Sequence, residues 1–301
     1  IVFGDWSSDV CSSDLKCIRE KILNRFAERG DGEWRGLFLG IIIGDKRFIN
    51  NDTKSAFAST GTLHIMSVSG MHVSFFYLFL SFLLSFLGRS RSSEVVKAVL
   101  ISSILWFYCA VVGFSPSCTR AVLMVTLLMI SRIISRKSFT LNTLCASALI
   151  ITIFSPESLF DIGFQLSYAA LLSIIFINPK LSQLLPSKNR YIKWMWGILS
   201  LSISCSIGTS LITLSLYGFF PFYFMISNII LIPLTASVIY LSATALIMQI
   251  TIGEGDIIMT FISRILSAMI RVADKIDSLP FSKIYLNIGH EYRSVIIALI
   301  L

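Results

Sequence analysis

His64, Ser67, Ser69, Gly70 and His72 fall within nine consecutive positions of GTLHIMSVSGMHV, Gly61 to Val73, at the mouth of an apolar run from Ser74 to Leu87. Ionisable side chains at membrane depth are costly enough to need a reason. Three chemistries use such residues. A metal site needs more ligands, and no Asp, Glu or Cys stands beside the two histidines to complete one. A Ser69 nucleophile with His72 as base would make a membrane-embedded hydrolase, but the pair is too close for a nucleophile elbow and no GxSxG occurs. The third is hydrogen bonding that holds a strained SVSG turn, with Gly70 supplying backbone freedom. Read as a helix, Ser67, Gly70, Ser74, Tyr77, Ser81, Ser85 and Gly88 recur every three or four residues. Such a small, polar stripe either packs on a neighbouring helix or faces water.

Further polar residues interrupt the apolar runs downstream. Asp161 and Gln165, four apart in FDIGFQLSYAA, share one helical face. Arg120 opens another run at a similar depth, so Arg120 and Asp161 could pair, either to fix two helices or to serve a conduit. Asn228 and Pro233 in MISNIILIPL predict a broken helix, because proline deletes a backbone donor and such breaks cluster at transport pathways. A plain proline kink is the alternative. Ser202, Ser206, Thr209 and Thr213 form a second hydroxyl stripe beside Gly208. The aromatic run Tyr217 to Phe224 reads as an interfacial belt, on which bases of a single strand could also stack.

The elements that must position these residues are membrane helices. Apolar residues make up 55% of the chain and charged residues 14%, with a mean hydropathy of +0.79, far from the roughly 25% charge of soluble domains. The net charge of +8 needs no nucleic acid to explain it, since polytopic proteins accumulate Lys and Arg in cytoplasmic loops. Six cysteines, Cys11, Cys17, Cys109, Cys118, Cys145 and Cys205, show no CxxC spacing and indicate neither zinc nor a disulfide framework. Trp34 to Ile43 is too short to span and predicts an interfacial or re-entrant helix, and Asp52 to Ser59 an amphipathic turn. Spans are expected over residues 61–87, 95–112, 119–134, 139–154, 162–177, 194–216 and 223–250. Asp256 to Ile276 carries Arg264, Arg271, Asp274 and Lys275 along an apolar rod, which suits a helix lying in the interface. Ser282 to Ile288 alternates weakly, as a short strand does. The fold class is therefore all-α, a polytopic bundle of about seven to eight spans plus an interfacial amphipathic helix.

Loop charge orients this bundle. Basic loops with Arg89, Arg91 and Lys97, with Arg132, Arg136 and Lys137, and with Lys180, Lys188, Arg190 and Lys193 follow the first, third and fifth spans. The loops after the second, fourth and sixth lack Lys and Arg. The positive-inside rule then places the segment before residue 61 outside. Residues 1–15 are expected to be an assembly scar, since Asp5 to Leu15 matches the in-frame translation of a sequencing adapter. Residues 16–60 are an extracellular or interfacial lead-in. Residues 61–301 are a transmembrane channel domain, expected to be truncated because Val295 to Leu301 is too short to span.

HIMSVSGMHV, SPSCTRAVLM around Arg120, SPESLFDIGFQLSYAA and FPFYFMISNIILIPL, in this order and approximate separation, resemble the ComEC family of competence proteins over residues 34–301. The resemblance implies a channel in the bacterial cytoplasmic membrane that passes one DNA strand inward during natural transformation. Its partners would be single-stranded DNA, the bilayer, a DNA receptor and a separate motor, since no GxxxxGK[ST] loop occurs; a homo-oligomer is left open. The family's polar positions fall on His64, Ser69, Gly70, His72, Arg120, Asp161, Gln165, Asn228 and Pro233. Members often carry an OB-like and a metallo-β-lactamase-like domain. Neither is found in this sequence, where His290 stands alone, so no metal, cofactor or enzymatic activity is expected of it. A secondary transporter of small solutes remains the main alternative, and the Ser69–His72 hydrolase a lesser one.

Overall fold

A computed structural model describes residue 20 and residues 32–88, 90–134, 140–185, 189–251, 256–280 and 282–285. The readings that rest on residues 1–15, Cys17, Arg89, Arg136, Lys137, Lys188, His290 and 295–301 lie outside them. The chain divides into two compact units: residues 1–50, 64–158 and 235–268, and residues 51–63, 159–234 and 269–301.

In the first unit, α1 (Trp34–Ile43) is buried along most of its length. It ends at Gly44, whose φ of 80° lets its N–H return to the Gly40 carbonyl at 3.2 Å. Just beyond, Arg47 bonds the buried Asp45 carboxylate at 2.6 Å, and that hydrogen bond and charge raise the guanidinium's pKa above its ordinary value. A 3₁₀ turn (Leu63–Met66) precedes α3 (Gly70–Leu83), and a second (Leu84–Leu87) prolongs it. Then come α4 (Arg91–Val112), α5 (Pro116–Ile133) and α6 (Thr140–Phe154). Ser90 caps α4 by accepting from the Ser93 N–H, and Gly113 in the left-handed region ends it. Proline opens α5, where its missing N–H costs nothing. Helices α3, α4 and α5 pack mutually, and α6 packs on α5. Val73, Ile101, Leu105 and Val122 lie in their shared core. Polar ties cross it: Trp106 Nε1 donates to Thr126 Oγ1 at 3.2 Å, and Tyr108 Oη donates to the Ile42 carbonyl at 2.9 Å.

In the second unit, α2 (Asn51–Ser59) matches the amphipathic turn expected there, and α7 (Ile162–Gln183) packs antiparallel on α8 (Arg190–Tyr217). Gly208 makes that approach possible. A Cβ there would stand 2.5 Å from the Ser173 Cβ and 2.7 Å from the Ala169 carbonyl oxygen, and Ser173 Oγ bonds the Ser204 carbonyl beside it. After Gly218, β1 (Phe219–Pro221) leads into α9 (Phe224–Thr251), which passes into the first unit at residue 235; α10 (Asp256–Asp277) returns to the second unit at residue 269 and is followed by β2 (Lys283–Tyr285). The strands pair antiparallel with Phe220 opposite Ile284.

Among the described residues, five helices are long and apolar enough to cross a membrane: Gly70–Leu87, Arg91–Val112, Pro116–Ile133, Ile162–Gln183 and Phe224–Gln249. The all-α class stands, and these helices fit a multi-pass membrane protein. Two expected spans fall outside the set. Helix α6 is apolar but only 15 residues long, about 22 Å. Helix α8 has 28 residues, about 42 Å, so its length suffices for the span expected over 194–216. The strand expected near Ser282 is present, over Lys283–Tyr285.

Candidate functional site

Ser69 is the N-cap of α3, and His72 is the third residue of that helix. The two form a capping box: His72 Nδ1 accepts from the Ser69 N–H at 3.3 Å and lies 2.8 Å from Ser69 Oγ. An Nδ1 that accepts a backbone proton must be unprotonated, so the imidazole proton sits on Nε2. That Nε2 is buried and has no protein partner. The histidine therefore terminates a helix, as the hydrogen-bonding reading expects. Two details differ from it. Gly70 is not among the glycines of positive φ. A Cβ there would make ordinary contact with the Ala121 Cβ at 3.6 Å, so the starts of α3 and α5 are neighbours. Ser67 lies before α3, because the cap at Ser69 starts the helix two residues later; the stripe along α3 therefore begins at Gly70. Ser69→Ala is expected to destabilise the protein by about 1 kcal/mol through loss of the cap. Thermal unfolding in detergent measures this, and an unchanged midpoint would contradict the capping role.

His64, on the 3₁₀ turn, is exposed, whereas Arg120, in the second turn of α5, is only 5% exposed. A cation near the positive end of a helix gains nothing from the dipole, so Arg120 is held by its surroundings, and its side chain is engaged there.

The remaining candidates belong to the second unit. Asp161 caps α7, its Oδ2 accepting from the Phe164 N–H at 3.1 Å, and Gln165 Nε2 donates to the Leu159 carbonyl at 3.1 Å. Both side chains thus organise the entry to α7. On α8, Ser202 is buried, and its Oγ accepts from Asn228 Nδ2 of α9 at 3.2 Å. Ser206 and Thr209 are half-buried, and the Thr209 and Thr213 hydroxyls donate to the carbonyls of Cys205 and Thr209, each at 3.0 Å. Gly208 turns to α7 instead of joining this stripe.

Helix α9 continues without a break through Asn228 and Pro233, which corrects the broken-helix expectation. Proline withdraws one donor, from the Ile229 carbonyl, and the neighbouring turns keep theirs. Unwinding further would expose more backbone polar groups to hydrocarbon. What remains at this position is the amide: Asn228 is buried, and its Oδ1 has no protein partner.

Sequence reasoning missed Ser173 and Ser204. The signal was present as Ser204-x-x-x-Gly208, a small-residue spacing that lets two helix backbones approach. Among the described residues, no three His, Cys, Asp or Glu side chains gather closely enough to hold a metal ion.

The family model described as Competence protein matches residues 41–301. The chain belongs to the Competence protein family. It is 24% identical over 242 residues to ComE operon protein 3 of Bacillus subtilis (strain 168), covering 77% of this chain and 30% of the relative. It is 29% identical over 167 residues to an uncharacterized protein of Aquifex aeolicus (strain VF5), covering 54% of this chain and 38% of that protein. The chain thus spans about a third of the length of these curated relatives. No solved structure matches it. The four blocks that carry Ser69, Arg120, Asp161 and Asn228 all lie inside the region matched by the Competence model.

Proposed function

We propose that this Competence family protein passes single-stranded DNA across the bacterial cytoplasmic membrane during natural transformation. The observation that carries the reading is the buried Asn228–Ser202 contact between α8 and α9, which leaves Asn228 Oδ1 unmatched inside a protein of membrane-length helices. Buried amides without a full set of partners are rare in finished packing. A strand bearing one negative charge per nucleotide cannot cross hydrocarbon and needs a path of hydroxyls, amides and a few cations. Ser202, Ser206, Thr209 and Asn228 of the second unit supply the neutral groups of such a path; Arg120, in the first unit, is a separate candidate for meeting the strand. The charge pattern of the loops puts the segment before residue 61 outside, so the strand would emerge among the basic loops within. A separate motor would draw it in, after a DNA receptor has delivered it.

The rival readings fit the geometry less well. A solute transporter wants a carboxylate near the midplane, and Asp161 is spent on a helix cap. A hydrolase wants a group that orients His72, and its Nε2 has no protein partner.

The test is DNA uptake in a naturally competent host deleted for its own Competence family protein. Complementation with this protein is expected to restore entry of labelled DNA into the cytoplasm. Asn228→Leu, which keeps the branched shape but carries no polar atom, is expected to lower entry per molecule of folded protein by about ten-fold, the effect of losing one to two kcal/mol of polar contact. Well-expressed, unaltered protein that restores no uptake would overturn the reading.

A further inference from the structure

Cys109 and Cys118 are completely buried in the core shared by α3, α4 and α5. The first lies in the last turn of α4, the second in the first turn of α5. Only Gly113, Phe114 and Ser115 separate the two helices. Gly113 and Phe114 have φ of 87° and 51°, so the chain reverses through two successive left-handed residues, a costly conformation for a bulky phenylalanine. The Phe114 N–H is tied back to the Cys109 carbonyl at 2.8 Å.

This turn brings the two thiols together, and they hydrogen-bond each other. Thr119 Oγ1 gives its proton to the Ser115 carbonyl at 3.2 Å and lies 3.5 Å from Cys109 Sγ. The Cys109 thiol therefore donates to Thr119, and the Cys118 thiol to Cys109. Buried cysteines commonly serve as small apolar side chains. A pair in contact across a strained hairpin is also what one covalent bond can close. No CxxC spacing marks the pair; the hairpin makes it.

We propose that Cys109 and Cys118 are joined by a disulfide in the mature protein, closing the α4–α5 hairpin at its outer end. The compartment rests on the orientation read from loop charge, which puts the turn at Gly113–Ser115 outside, where disulfides persist. Both cysteines lie within about 5 Å of that end of their helices. The sulfur–sulfur bond forms by exchange with the disulfide of an extracytoplasmic thiol oxidoreductase. Each thiol gives up one proton and one electron, and the oxidoreductase disulfide is broken, taking up both pairs as two thiols. Because neither cysteine is accessible once the core has closed, the exchange precedes that closure. The bond then fixes the start of α5, two residues before Arg120.

Peptide mapping of the full-length protein tests the bond. The protein is taken from membranes blocked with N-ethylmaleimide, unfolded in the same reagent without reductant, and cut with chymotrypsin, which cleaves after Phe114. The peptides bearing Cys109 and Cys118 are expected to be joined and unlabelled, while Cys145 and Cys205 are alkylated. Alkylation of Cys109 and Cys118, or pairing of either with another cysteine, would overturn the proposal. Cys109→Ala and Cys118→Ala are each expected to lower the unfolding midpoint by about 5 °C or more, and the double variant no further than either. Additive losses would show two residues that merely fill space, and would overturn it too. Phe114→Cys in a chain with no other cysteine, probed with a membrane-impermeant methanethiosulfonate, tests the orientation separately. Labelling in intact cells is expected. Labelling only in inverted vesicles would overturn the outside placement and the oxidising setting with it, whereas outside labelling beside free Cys109 and Cys118 thiols would overturn the disulfide alone.

Discussion

Gly36→Ala is expected to abolish accumulation of folded protein. Gly36 sits in the first turn of α1, where the added Cβ would stand 2.1 Å from the Phe48 carbonyl oxygen and 2.6 Å from its carbon. Those are backbone atoms, so no rotamer change relieves the clash; the chain around Phe48 or the helix itself must move. Neither is loosely held. Leu37, Leu39 and Ile41 of α1 are essentially inaccessible, and four residues farther along Gly40 also approaches a backbone carbonyl, a Cβ there lying 2.8 Å from the Met66 oxygen. Overpacking a well-filled core costs about 1–3 kcal/mol even when side chains can yield. A clash with fixed backbone lies at or beyond the upper end of that range, a large share of the 5–15 kcal/mol that typically separates folded from unfolded domains. Gly197→Ala is the matched control. Gly197 lies within α8 with nothing within 4 Å of an added Cβ, so alanine there is expected to be neutral or to stabilise by about 0.5–1 kcal/mol. Yield of monodisperse protein in detergent, with its unfolding midpoint, measures both. A Gly36→Ala protein that purifies and melts like the unaltered one would show that α1 does not pack as described.

The close approach at Gly36 illustrates what the sequence could and could not express. Helix ends were legible where local chemistry is plain, as at Gly113 after α4, whereas the starts of α4 and α5, expected at 95 and 119, lie earlier, behind the Ser90 cap and at Pro116. The Ser69–His72 relation was legible too, since a side chain three residues into a helix can reach back to its cap. Tertiary choices were not. A glycine that meets a neighbouring carbonyl, as Gly36, Gly40 and Gly208 do, looks, in one dimension, like a glycine that supplies flexibility, the role expected of Gly70, whose φ is not positive. Pro233 looked like a break because proline's local cost is visible, whereas the hydrocarbon's penalty for unwinding the flanking turns is not. The pairing of β1 with β2, two three-residue strands separated by 61 residues, was hidden as well. Pairing over such a separation leaves no periodicity to read.

Arg120→Ala is expected to lower DNA entry by about a hundred-fold or more per molecule of folded protein. Arg120 is 5% exposed, and stripping water from a guanidinium costs several kcal/mol unless hydrogen bonds and charge replace it. Its position at the start of α5 gains nothing from the helix dipole. Removing the cation leaves the groups that face it without their partner, a loss that commonly reaches 3–5 kcal/mol. Some fall in protein level is therefore expected for alanine whatever the role, and uptake must be divided by the folded amount. Arg120→Lys separates the two roles. A lysine keeps the charge but not the planar fork of donors. If the residue only ties helices together, uptake per folded molecule stays near that of the unaltered protein in both variants, because a surviving fold is a working fold. If the charge itself serves the strand, alanine fails even where it folds, and lysine recovers part of the activity. That second pattern is the expected one: the path needs cations only where phosphates must pause, and a buried arginine is costly to keep for packing alone, since apolar side chains of similar volume often stabilise such sites as well or better.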